Sequence, residues 1–153
     1  MIGAASVQDY APLNVDDGKL SYEVSTNYKV DNSTSVFARY ANGFRAQTIQ
    51  ARDVAFEGAP SVADAETINS VEVGFKSDLL DDTLRLNAAA FYYVIDDIQF
   101  SAIGGGANNT ALVNADKGTG LGYEIDAQYL ATDALTLTAG FSYNKTEIKD
   151  STL

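Results

Sequence analysis

Six stretches of this sequence alternate apolar and polar residues with a period of two, and the gaps between them alternate short and long. The stretches lie near residues 19–30, 35–44, 68–77, 83–95, 119–130 and 135–147. The short gaps are Asp31–Thr34, Asp78–Asp82 and Ala131–Ala134, and the long ones run roughly Arg45–Thr67 and Asp96–Gly118. A period of two is that of a β-strand, whose successive side chains point to opposite faces. Tight turns join such strands as antiparallel neighbours. The pattern therefore predicts an all-β protein, an antiparallel up-and-down meander of about six long strands.

Sorted by parity, one face collects Leu20, Tyr22, Val24, Thr26, Tyr28 and Val30, then Val36, Ala38 and Tyr40, then Asn69, Val71, Val73 and Phe75. It continues with Leu84, Leu86, Ala88, Ala90, Tyr92 and Val94, with Leu121, Tyr123, Ile125, Ala127 and Tyr129, and with Leu135, Leu137, Ala139, Phe141 and Tyr143. None of these 29 positions is charged. The opposite face holds Glu23, Lys29, Arg39, Glu72, Lys76, Arg85, Glu124 and Asp126 among small polar residues and the glycines Gly74, Gly122 and Gly140.

Alternation alone would also fit a soluble sandwich. Length and aromatic placement separate the two. The segments run about 10 to 14 residues, against about 5–6 for an ordinary strand and ~9–11 for one that crosses a bilayer at a tilt. On the apolar face Tyr22, Tyr40, Tyr92, Tyr123 and Tyr143 fall toward the long gaps, and Tyr28, Phe75 and Tyr129 toward the short turns. Two aromatic girdles flanking an aliphatic band, with short turns on one side and long loops on the other, describe a segment of a larger transmembrane β-barrel.

Charge supports the same division. Of 21 acids and ten bases, the polar strand face takes four of each. The short turns take five acids and no base, and the remaining segments twelve acids and six bases. The net charge of −11 thus lies outside the spans, and it excludes the basic footprint that nucleic acid requires. The balanced polar face suits a lumen packed against another polar body better than a channel selecting by rings of one sign. With no histidine and no cysteine, a Ser-His-Asp triad and sites ligated by His or thiolate are impossible within these residues, so the reading is not an enzyme and no cofactor or metal is expected. The Asp pairs 16–17, 81–82 and 96–97 lack EF-hand spacing. Gly104-Gly-Gly106 has no following Lys or helix to make a phosphate cradle.

Five motifs occur in order: Tyr40-Ala-Asn-Gly-Phe-Arg-Ala46; Ser70-Val-Glu-Val-Gly-Phe-Lys-Ser-Asp-Leu79; Leu84-Arg-Leu-Asn-Ala-Ala-Ala-Phe-Tyr-Tyr93 with Asp97-Ile-Gln99; Asn114-Ala-Asp-Lys-Gly118 with Gly122-Tyr-Glu-Ile-Asp126; and Leu135-Thr-Leu-Thr-Ala-Gly-Phe-Ser-Tyr143. Together they resemble the C-terminal half of the barrel of TonB-dependent outer-membrane receptors, over roughly residues 18 to 148. Gln47 stands where the family often has proline. The resemblance implies the outer membrane of a Gram-negative bacterium and TonB-energised uptake of a nutrient such as a ferric siderophore, vitamin B12 or a glycan. The partners it implies are membrane lipid, a plug domain in the lumen and, through the plug, TonB. Such barrels have about 22 strands. The chain, with no plug, TonB box, terminal aromatic residue or signal peptide in its sequence, reads as an internal receptor segment whose first and last strands need neighbours.

Candidate lumen- or plug-facing residues are Arg39, Glu72, Lys76, Arg85, Glu124 and Asp126, with cross-strand pairing as the alternative role for these charges. Candidate ligand-contact residues in the outer loops are Arg45, Arg52, Phe56 and Asn108. A passive porin segment and a soluble carbohydrate-binding sheet are the competing functions.

Overall fold

The computed structural model describes residues 10–51, 59–104 and 109–149. Among the described residues eight strands form: β1 (Tyr22–Lys29), β2 (Thr34–Arg45), β3 (Thr48–Gln50), β4 (Ser61–Ala63), β5 (Glu66–Leu79), β6 (Leu84–Gly104), β7 (Asn109–Thr132) and β8 (Leu135–Lys149). Six of them make one antiparallel sheet in the order β1-β2-β5-β6-β7-β8, and β3 and β4 pair separately. The meander follows from its turns. Asp31 Oδ1 accepts from the backbone N–H of Ser33 and Thr34 at 2.8 and 2.7 Å, closing the first. The second places Leu80, Asp81 and Asp82 at φ of 54, 51 and 64°, a left-handed run costly for residues with a Cβ. Thr83 tethers it, its hydroxyl donating to Leu80 O at 2.7 Å.

Two sequence expectations are corrected here. The turn after β5 begins at Leu80, so Asp78 belongs to the strand, where it faces Arg85 in register. The long gaps are also not open loops. β6 and β7 continue pairing through residues 96–104 and 109–118, out to Gly104 and Asn109. The gap between β2 and β5 contains the β3–β4 hairpin. Both extensions arise from bonds between distant segments, which local alternation does not encode.

The sheet has no second layer. Among the described residues no large side chain is fully buried, and the chain exposes 10799 Å², where a compact globule of its 16.3 kDa would expose roughly 7,500 Å². Leu20, Val24, Val73, Leu137 and Phe141 are each at least half exposed on the apolar face. Apart from Ser77 near a short turn, the buried side chains among the described residues gather instead in the long connections. Ala63, Ala65, Ala115 and Gln99 are all buried there, where β4 lies against the hairpin extension.

Candidate functional site

On the polar face the register sets Arg39 opposite Glu72 and places Glu23 on the diagonal across β1. The guanidinium of Arg39 lies 2.7 Å from Glu23 and 3.7 Å from Glu72. Lys76 stands over the ring of Phe37 at 5.9 Å, within cation–π range. Arg39, Glu72, Lys76, Glu124 and Asp126 line one trough of about 440 Å³. Arg85 sits nearer the short turns, bonded to Asp78 at 2.9 Å.

The two acids of β7 differ from the rest. Glu124 lies in register with Ala89 and Ser142, and Asp126 with Asn87 and Gly140, so neither has a basic residue directly across. Among the described residues no ion pair reaches either acid. The wall therefore neutralises itself across β1, β2 and β5 and leaves two carboxylates open on β7. The same described residues hold no group of three or more acids arranged to bind a metal.

Sequence parity overlooked three aromatics on this polar face. Phe37 lies in register with Gly74, Phe91 with Gly122 and Tyr93 with Gly120. Each ring occupies the space a side chain would fill. A Cβ on Gly74 would strike the Ala88 carbonyl and come within 2.6 Å of Phe37, and one on Gly122 would strike both Phe91 and the Tyr143 carbonyl. One on Gly120 would strike Tyr93. Phe91 and Tyr93 stack with centroids 6.4 Å apart, and the Tyr93 hydroxyl reaches Thr146 Oγ1 at 3.3 Å. The signal that finds them is an aromatic and a glycine at matched register positions on adjacent strands, read as a pair.

The apolar face carries its aromatics in clusters. Tyr22 meets Tyr40 at 6.0 Å, and Tyr123 meets Tyr143 at 5.5 Å and Phe141 at 5.8 Å. Beyond Tyr143 the same parity turns charged. Lys145 lies 2.6 Å from Glu147.

At the far end, Arg45 approaches Glu66 at 3.9 Å, which closes the base of the first connection. Arg52, Phe56 and Asn108 lie outside the described residues. Two residues not among the candidates join the connections. The Gln99 amide donates to Ala46 O and Asp64 O at 2.9 and 2.8 Å and accepts from Thr48 Oγ1 at 2.8 Å. The Asn114 amide accepts from Asp64 N at 2.7 Å and donates to Asp64 O at 2.9 Å and Asp97 O at 2.7 Å.

A sheet with one largely apolar face, one polar face and ordered extensions at a single end is matched over residues 4–153 by the family described as TonB dependent receptor-like, beta-barrel. The chain belongs to this TonB-dependent receptor family. Solved receptors share the fold. The FrpB iron transporter of Neisseria meningitidis aligns with TM-score 0.66 and 24% identity, over 85% of this chain and 20% of its own. The ferric yersiniabactin uptake receptor FyuA of Yersinia pestis gives 0.64 and 18%, over 83% and 18%. The alcaligin receptor FauA of Bordetella pertussis gives 0.61 and 18%, over 87% and 23%. The chain thus spans about a fifth of the length of the receptors it resembles. No curated protein matches the sequence.

Proposed function

We propose that this chain forms part of the barrel wall and outer mouth of a Gram-negative outer-membrane receptor that takes up a nutrient with energy relayed by TonB. The family match over residues 4–153 carries this reading. The two-faced sheet supplies its physical logic, with lipid covering the apolar face. The solved neighbours include an iron transporter and receptors for ferric yersiniabactin and alcaligin, which favours a ferric siderophore as the cargo class.

Within that receptor the trough residues Arg39, Glu72, Lys76, Glu124 and Asp126, and Arg85 nearer the short turns, face the plug. Arg39, Glu72 and Arg85 already have partners in the wall. Glu124 and Asp126 are left for a cationic group on the plug, since a carboxylate shielded from water by a packed partner is costly unless paired. Arg45, Arg52, Phe56 and Asn108 remain the ligand-contact residues of the outer connections. The segment binds and shapes a passage, and no chemistry is assigned to it.

The test is uptake by cells carrying the intact receptor, with and without TonB, using iron-loaded siderophores, cobalamin and oligosaccharides as separate labelled probes. Accumulation that requires both receptor and TonB is expected. Uptake of a probe indifferent to TonB, together with steady ion conductance in planar bilayers, would mean a passive pore instead.

A further inference from the structure

We infer that the two outer connections of this segment, residues 45–51 with 59–66 and residues 96–104 with 109–118, form a single rigid lobe latched by Gln99 and Asn114. Two separate loops would each satisfy their own backbone. Here the first connection is held by the second. Gln99 is only 6% exposed, and its amide bonds both arms of the first connection, Ala46 and Thr48 on the outgoing arm and Asp64 on the returning one. Its backbone N–H donates to Glu66 Oε2 at 2.7 Å.

Asn114 takes both backbone groups of Asp64, the N–H and the carbonyl. That is the pair of bonds a neighbouring strand would offer, delivered by a side chain of β7 to the residue just past the end of β4. A third link runs from Leu112 N to Ser61 Oγ at 2.8 Å. Small residues let the backbones come this close, with Ala63 at 0% and Ala115 at 1% exposure. Amides with every polar atom engaged, Gln99 buried and Asn114 half-buried, resist opening, because separation leaves several groups unbonded at once. Gln99 and Asn114 are therefore positioning residues. They fix the base from which the two connections project, and a displacement of one connection carries the other.

The outer placement of the lobe rests on the receptor reading. The latch is tested by exchange rates and distances, not by uptake, so either can fail without the other. Amide hydrogen exchange is measured on the intact receptor in detergent, with Asn114→Ala and Gln99→Leu. Each variant is expected to speed exchange at least tenfold in both 46–50 and 61–65, while amides 36–42 and 70–76 keep their wild-type rates. Exchange that stays unchanged, or that rises in one arm only, overturns the latch. A second measurement uses the wild-type lobe. Spin labels at Val62→Cys and Ile103→Cys, both exposed in a chain with no native cysteine, should give one narrow distance distribution. A broad or two-peaked distribution would show independent loops and refute the inference.

Discussion

The wall and the lobe are built from the same chain by opposite means. The wall is long, regular and without a core, with Val73 half exposed on one side and a charged trough on the other. The lobe is short and irregular, yet it holds the most buried side chains and a set of saturated amides. A sheet that leaves an uncharged face uncovered depends on its surroundings for stability. A lobe that satisfies its polar groups internally does not. The difference separates a part that, on the proposed receptor reading, is shaped for a membrane from a part shaped for its own rigidity.

The sharpest way to break this comparison is to place one charge in each region. Val73→Arg on the apolar face should destabilise the intact receptor in lipid vesicles by about 2–4 kcal/mol. Val62→Arg, equally exposed to water on the lobe, should change it by no more than about 0.5 kcal/mol. Denaturant titration of both variants decides, and equal costs would remove the membrane assignment of the apolar face. Gly120→Ala asks whether the polar face of the wall is packed as closely as the lobe. The added methyl meets the Tyr93 ring, and overpacking should cost about 1–3 kcal/mol. Tyr93→Ala in the same background should return much of that loss, a coupling read from a double-mutant cycle.

Arg39→Ala probes the ion pairs of the trough. Its side chain is 46% exposed in this segment, so with no plug over the trough the loss should be small and should shrink as salt is added. A larger, salt-insensitive loss would mean that another body covers the pair. Leu80→Gly is the mildest change and runs the other way. Relief of the left-handed backbone, about 1–2 kcal/mol, outweighs the added chain entropy of glycine, about 0.5–1 kcal/mol. A net gain near 0.5 kcal/mol is expected in the same titration.

The wall was legible in the sequence because two different solvents impose two different chemistries on alternate residues. That contrast marks Val24, Val73 and Ile125 against Glu72 and Asp126 without any knowledge of pairing. The lobe was not legible. Gln99 and Asn114 look like ordinary polar loop residues, and their partners stand 35 to 53 and 17 to 50 positions away. Leu80 was missed for a related reason, since its left-handed φ is set by the turn and not by leucine's own preference. Phe37, Phe91 and Tyr93 were passed over because an aromatic on a polar face reads as noise until the glycine across from it is known. The six charged candidates share the polar face of the sheet. Which of them are neutralised within the wall required the register.

The rings lying over Gly74, Gly120 and Gly122 carry information that alternation cannot. A strand that slips by one residue turns its faces inside out and is rejected at once. A slip by two leaves every face correct, so hydrophobic patterning is blind to it. It would, however, set Phe37 against Glu72 or Lys76 in place of Gly74, and in one direction Phe91 against Glu124. The glycine notches thus act as a checksum on the alignment of β2 with β5 in both directions and of β6 with β7 in one, catching assembly errors that a two-sided wall would otherwise let through.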